Sequence, residues 1–451
     1  MLKRKAFQRL LDWKQQGAEK ALCIIGARQI GKTSIVRAFG KQEYAHFVEI
    51  NFIKQPLAKD IFKDLLDVNT LLTNLSAFTQ EKMVPGKTLI FLDEIQECPQ
   101  ARTAMKFLVE DHRFDYVESG SLLGVKYKDV PSYPVGFEDI YQMTPMDFEE
   151  FLWANGVQPD TITMLHQCFD TNTPVHDTIH HTLCKLFYAY IIIGGMPEVV
   201  QAYVDTHDIA QVIQKQQQIL RLYRLDIGQY AQGSDRIKIQ SIFDSIPSQL
   251  DDKNRRFVLT AIDENARHNR YADSFHWLED AGVALPCYNV SEPQPPLRMN
   301  EKNNLFKLYM GDTGLLCAAC MDNIQFAILQ GAVDINMGSI LENAIAQQLT
   351  ANGFRLNYYN SKKNGELDFV LQNGMDIDLL EVKSGNDYHR HAALDKVRRI
   401  EAWHFNRSIV LCKGNLEMTD GIQYMPWYMC MFLTPKQPPK ELLVDIDISG
   451  L

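Results

Sequence analysis

The chain has 451 residues, 46% hydrophobic and 23% charged, which excludes a disordered, collagen-like or coiled-coil polymer and leaves room for about three domains. Lysine and arginine number 46 against 56 acids, a net charge of −10, so the whole chain is no basic nucleic-acid coat, although a local basic face is compatible with it. Nine cysteines are too sparse for a disulfide scaffold and suit free thiols in a reducing, cytoplasmic setting.

The first residues, MLKRKAFQRLLDW, are basic with no apolar run behind them, so a signal peptide is not expected. ALCII (21–25) is a continuous apolar run, which suits a central parallel strand buried on both faces. It leads into Gly26-Ala27-Arg28-Gln29-Ile30-Gly31-Lys32-Thr33, followed by Ser34 and a helical pattern. This is GxxxxGK[ST] in a strand, loop and helix context. Gly26 and Gly31 let successive amide groups turn toward one phosphate, and the helix N-terminus adds its positive dipole end. Lys32 is placed to reach the β- and γ-phosphates of ATP, and Thr33 to offer its hydroxyl to Mg²⁺. FVEINF (47–52) reads as a further strand.

TLIFL (88–92) is a second buried-strand run, and it ends in Asp93-Glu94. Two adjacent carboxylates at a strand tip are costly without a cation, so Asp93 is read as the outer metal partner and Glu94 as the group that polarises the attacking water. FDYVESGS (114–121) reads as a strand whose Ser119 is either a γ-phosphate sensor or a turn serine. DIYQM opens a fifth strand, and PMDFEEFL follows it with a proline break and an acidic helix start.

Taken together, GARQIGKTS, IFLDEIQ, ESGSLLG, PMDFEEFL and GGMPEVV (194–200) resemble AAA+-type P-loop ATPases of the archaeal-ATPase kind, whose members carry an uncharacterised C-terminal region. The resemblance spans nearly the whole chain. It implies a sheet with an extra strand between the two nucleotide-binding strands, which sets Glu94 beside the attacking water. It also implies that Pro197 of Gly195-Met196-Pro197 packs near the adenine in a helical lid. Relatives often carry Gly-Arg where this chain has Gly136-Phe137, so that arginine is missing. Arg28, Arg102 and Arg113 are the remaining finger candidates, and each is read as a plain surface arginine.

Leu186 to Met196 is the greasiest stretch, too short to span a membrane, and reads as a buried helix. Residues 156–235 are helical in pattern and suit a lid or adapter. Residues 236–300 have the look of a winged-helix unit: a helix over Tyr271 to Ala281, a stop at Gly282 and a strand with Val283 and Leu285. Arg255, Arg256, Arg267 and Arg270 could meet DNA phosphates there, but Asp251, Asp252, Asp263 and Glu264 interleave with them as on a solvated face. PQPP (293–296) marks a stiff turn, and 301–337 reads as a linker containing the family-like FKLYMGDTGLL, with Asp312 as a helix cap. Cys317 and Cys320 read as helix thiols, with no partners for zinc.

From 338 to the end a second constellation follows. A helix carries Glu342 and stops at Gly353, LNYYN is a strand, and Asp368 sits on one strand of a hairpin turned at Gln372-Asn-Gly374. Glu381 and Lys383 lie on the paired strand, on one face by alternation. This pattern resembles the PD-(D/E)XK nuclease core, which implies a divalent cation held by Glu342, Asp368 and Glu381 and a water oriented by Lys383. HRHAALDKVRRIEAW (389–403) is either a phosphate-tracking helix or a solvated one, and His389 and His391 lack zinc-ligand spacing.

The expected fold is therefore α/β: a P-loop parallel sheet (1–155), a helical lid (156–235), a winged-helix-like unit (236–300), a linker (301–337) and a small α/β nuclease-like domain (338–451). The expected function is a Mg²⁺-dependent ATPase coupled to DNA processing. A nucleotide-operated switch or scaffold that recruits a protein, and a DNA-binding regulator with an inactive nuclease-like domain, are the alternatives. Oligomeric state stays open.

Overall fold

In a computed structural model the described residues are 2–63, 67–120, 134–230, 234–251, 256–264, 267–322, 324–330 and 337–436. Asp252, Arg255 and the Ser121–Gly124 end of ESGSLLG lie outside them. The chain divides into two compact units, one of residues 1–164, 185–286 and 307–347, the other of 165–184, 287–306 and 348–451.

The first unit opens with α1 (Lys5–Gln15), β1 (Ala21–Ile25), α2 (Lys32–Glu43), β2 (His46–Asn51), α3 (Val68–Thr79), β3 (Thr88–Asp93), α4 (Pro99–Glu110), β4 (Asp115–Gly120), β5 (Glu138–Gln142) and α5 (Phe148–Ala154). Its five strands run in the order β2-β3-β4-β1-β5, every neighbouring pair parallel. Every residue of β3 is buried, as are the first four of β1, which is why both runs are apolar without alternation. The inserted strand is β4, lying between β1 and β3.

Helices follow: α6 (Pro159–Thr171), α7 (Asp177–Ile193), α8 (Pro197–Thr206), α9 (Ile209–Tyr230), α10 (Ser234–Asp251) and α11 (His268–Asp280). The apolar end of α7 is a buried helix as expected, with Phe187, Tyr190, Ile191, Ile192 and Ile193 fully covered. Among the described residues, no helix is long and apolar enough to cross a membrane.

Next come β6 (Ala284–Val290), β7 (Glu301–Met310), α12 (Thr313–Cys320), α13 (Gln325–Leu329) and α14 (Gly338–Ala351). The 301–337 stretch is thus no plain linker. Phe306, Leu308, Tyr309 and Met310 are buried, and that apolar run orders β7 beyond the proline cluster. Cys317 is buried and Cys320 exposed on α12. Asp312 caps α12 by accepting from the Leu315 amide at 3.0 Å, and it also accepts from the Gly195 amide at 2.6 Å. Burial pushes its carboxyl up to about 6, against the pull of those donors. A side chain on Gly194 would start 2.8 Å from the Gly314 nitrogen, and one on Gly195 would fall inside the Met146 carbonyl. The GGMP and GDTG segments therefore pack backbone to backbone.

The second unit continues with β8 (Asn357–Ser361), β9 (Gly365–Leu367), β10 (Phe369–Asn373), β11 (Asp376–Val382), α15 (Ala392–Arg398), β12 (Arg407–Cys412), β13 (Glu417–Thr419) and β14 (Ile422–Pro426). One sheet has the order β10-β11-β12-β14-β13 and a second the order β7-β6-β8-β9. β6, placed by the sequence in a winged unit, pairs in parallel with β8 from Tyr288↔Asn357 to Val290↔Tyr359.

Candidate functional site

Parallel strands gather their functional side chains at their C-terminal tips, and register does so here. Asn51 ends β2 opposite Asp93, and Asp93 lies opposite Ser119 on β4. Asp93 is 1% exposed and surrounded by donors. The Thr33 hydroxyl donates to it at 3.0 and 3.1 Å, Asn51 Nδ2 at 2.7 Å, and the Ser119 hydroxyl as well. Ser119 is therefore turned into the site. A hydroxyl and a carboxylate held within reach of one oxygen-loving cation are the donor set Mg²⁺ takes from a protein, the rest being water and phosphate. Thr33 and Asp93 fit that ion.

The loop between β1 and α2 is built as a cradle. Gly26 has φ +143° and Gly31 φ +93°, both outside the range of ordinary side chains. A Cβ on Gly26 would also fall inside the Met143 carbonyl. Gln29, at φ +64°, adds a third left-handed residue. Lys32 Nζ donates to the carbonyls of Gly26 at 2.9 Å and Ala27 at 2.8 Å, so the ammonium sits within its own loop. Burial draws its pKa down to about 8, opposed by the nearby carboxylates of Glu94 and Asp93. Ala27 and Ile30 are buried, and Ser34 is exposed on the first turn of α2.

Glu94 stands one residue past β3 in the left-handed region, φ +57°, a costly conformation for a non-glycine residue that is frequent at active sites. Gln96 Nε2 donates to its carboxylate at 2.5 Å. Gly120 leaves the room for Gln96, because a Cβ there would strike the Gln96 amide.

Several contributors are invisible in the local motifs. Arg4, only 7% exposed, donates to the Ile30 carbonyl at 2.8 Å, to the Thr144 carbonyl at 2.7 Å and to Glu150 at 3.0 Å. Glu150 also forms a capping box with Asp147, so the acids of PMDFEEFL start α5 and anchor the phosphate loop through Arg4. On the other side, Arg28 pairs with Asp226 of α9 at 2.7 Å, and the Tyr223 hydroxyl donates to the Arg28 carbonyl at 3.1 Å. Pro197 Cγ lies 3.9 Å from where a Gly31 side chain would begin, so this proline reaches the loop.

The three arginines are engaged inside the unit. Arg102 departs from the surface reading: it is 6% exposed and bridges Glu138 at 3.0 Å. Arg113 pairs with Asp111 at 2.5 Å.

In the second unit, Asp368 stands at the bend between β9 and β10 rather than within a strand. Its carboxylate accepts from the Val382 amide at 2.8 Å, between Glu381 and Lys383 in sequence. Lys383 Nζ meets Glu381 at 2.7 Å. The structure thus brings Asp368, Glu381 and Lys383 together. Glu342 belongs to the first unit, where it is fully buried and accepts from Lys307 at 2.7 Å and from the Tyr309 hydroxyl.

Residues 18–152 match the family described as AAA domain. Residues 184–325 and 337–430 match two domains of unknown function, DUF8612 and DUF4143. No curated protein matches the chain. Among solved structures, the Walker-type ATPase PABY2304 of Pyrococcus abyssi is 13% identical with a TM-score of 0.44, over 71% of this chain and 96% of that one. The Aeropyrum pernix ORC1 protein in complex with DNA is 13% identical with a TM-score of 0.28, over 73% and 94%. The Thermotoga maritima RuvB Holliday junction branch migration motor is 11% identical with a TM-score of 0.30, over 63% and 89%.

Proposed function

We propose that this chain is a Mg²⁺-dependent ATPase of the AAA kind whose turnover drives a nuclease-like C-terminal part acting on DNA. The observation that carries the ATPase reading is the convergence of Lys32, Thr33, Asp93 and Glu94 at adjoining strand tips, within a stretch that matches an AAA domain. The division that goes with this reading is a core at 1–155, a lid at 156–235, a winged-helix-like unit at 236–300, a connecting segment at 301–337 and a nuclease-like domain at 338–451.

Loop amides from Ala27 to Ser34 receive the β- and γ-phosphates, and Lys32 turns from the loop carbonyls to the bridging charge. Thr33 and Asp93 would hold a Mg²⁺ ion, which would supply charge neutralisation at the phosphates. Glu94 orients a water for in-line attack and takes its proton, and Ser119 marks the presence of the γ-phosphate. The products are ADP and inorganic phosphate. Pro197, beside Gly31, is suited to feel whether the loop is filled.

The test is ATP hydrolysis by the full chain. Lys32→Ala is expected to reduce turnover at least about 10²-fold, the scale of losing a preorganised charge at the transferring group. Equal rates would reject the site.

The nuclease reading is supported by the contact of Lys383 with Glu381 beside Asp368. With Mn²⁺ or Mg²⁺ and several DNA forms, the full chain is expected to cut at least one form, and Lys383→Ala to abolish cutting. Cleavage that survives the substitution would assign it elsewhere. DNA binding that falls with salt, without cleavage, would favour the regulator instead.

A further inference from the structure

A second polar cluster lies inside the sheet of the first unit, and the nucleotide chemistry does not use it. Cys23 on β1 pairs in register with Glu118 on β4, so their side chains leave the same face. On the other side of β1, Ala21 pairs with Glu138 of β5, two residues from Cys23 and hence on that face too. The thiol and one oxygen from each carboxylate lie within 4.8 Å of one another. Arg102 of α4 covers the group and grips Glu138 with two hydrogen bonds, at 3.0 and 3.2 Å.

Glu118 is the unusual member. It is wholly buried, and among the described residues no donor is placed to hydrogen-bond either of its carboxylate oxygens. A buried carboxylate in that position needs either a proton or a cation. Burial and the Glu138 charge do push its carboxyl well up.

We propose that Cys23, Glu118 and Glu138 form a binding site for a divalent cation of zinc's class. One thiolate and two carboxylates from three adjacent strands are a mixed soft and hard set, which suits a borderline ion and disfavours Mg²⁺. Zinc bonds of about 2.0–2.3 Å bring ligand atoms to roughly 3.5 Å apart, and the three ligand atoms here already lie within 4.8 Å of one another. The charges also balance. Three anionic ligands against the Arg102 cation leave two negative charges, and a divalent ion cancels them. Without metal the same neutrality requires protons on Cys23 and Glu118, so metal entry exchanges two protons for one ion. The site sits at the root of the nucleotide centre, three residues before Gly26 on β1 and one before Ser119 on β4.

Co²⁺ replaces zinc and reports a bound thiolate by a charge-transfer band in the near ultraviolet. Full-length protein, stripped with chelator and titrated with Co²⁺, is expected to develop that band at one equivalent. Cys23→Ser is expected to remove it, and Glu118→Gln to weaken binding at least about tenfold, while Asp368→Ala leaves the band intact. Circular dichroism checks that each variant is folded. Should Cys23→Ser not fold, Glu138→Gln takes its place, with the same tenfold weakening expected. No thiolate band in the wild type overturns the proposal. So does a band unchanged in Cys23→Ser, or a Co²⁺ midpoint unmoved in both glutamine variants. The ATPase reading is untouched by any of these results, because Lys32→Ala tests it separately.

Discussion

Glu94→Gln is expected to lower ATP turnover by about 10²–10⁴-fold while nucleotide binding stays near the wild-type level. The reasoning begins with where the side chain sits. Glu94 follows the buried tip of β3 directly, so in the proposed reaction the strand that offers Asp93 to the metal also offers Glu94 to the water. Its left-handed backbone turns the chain away from the strand direction and is held by the Gln96 contact. Glutamine keeps the size and an acceptor oxygen, so the turn is retained. What disappears is the negative charge that attracts a proton from water. In the proposed reaction phosphate binding belongs to the loop amides and Lys32, and the substitution leaves those groups in place while removing one carboxylate near the ammonium. Steady-state phosphate release and binding of a fluorescent ATP analogue, measured on the same preparation, separate the two. Full turnover in Glu94→Gln would remove Glu94 from the chemistry, and loss of binding would make it part of the phosphate cradle.

The second large effect concerns stability. Glu342→Ala is expected to destabilise the fold by about 3–5 kcal/mol, the usual consequence of removing one partner of a buried ion pair. Lys307 and Glu342 are both fully covered, and the Tyr309 hydroxyl donates to the same carboxylate. Removing the carboxylate takes the anion away from a buried ammonium and an acceptor away from the Tyr309 hydroxyl. Adding Lys307→Met is expected to recover most of the loss, because an apolar side chain of similar length carries no charge to desolvate. Urea unfolding of the wild type, Glu342→Ala and the double variant reads the three values. A Glu342→Ala protein as stable as the wild type but unable to cut DNA would return the residue to the metal site that the nuclease resemblance implies.

The part of the site carried by contiguous residues is legible in the sequence. The phosphate loop announces itself because a strand, two glycines, a lysine and a hydroxyl must follow one another for the backbone to wrap a phosphate. Asp93-Glu94 alone reads equally well as a helix start, and it takes its meaning from the phosphate loop that precedes it. Asn51 was half visible: FVEINF reads as a strand, but only its register against β3 aims the amide at Asp93. Arg4 and Asp226 were hidden, being 26 and 198 residues from their loop partners Ile30 and Arg28. Nothing in a run of basic residues such as LKRK tells which one turns inward. The same separation explains Glu342, whose helix was expected but whose partners on β7 lie 35 and 33 residues earlier. β6 was recognised as a strand, yet local pattern names no neighbour, and its pairing with β8 depends on a chain segment about 70 residues away.

The glycine packing around Asp312 has a mechanical consequence. Side chains usually absorb small shifts by changing rotamer, like bushings in a linkage. Between Gly194, Gly195, Met146 and Gly314 there are none, only main chain against main chain, fastened by the Asp312 carboxylate. A displacement of Pro197 at the mouth of the phosphate loop would therefore reach the start of α12 with almost no play. Within the first unit, that joint is a path by which an event at the phosphate loop could be felt at a distance.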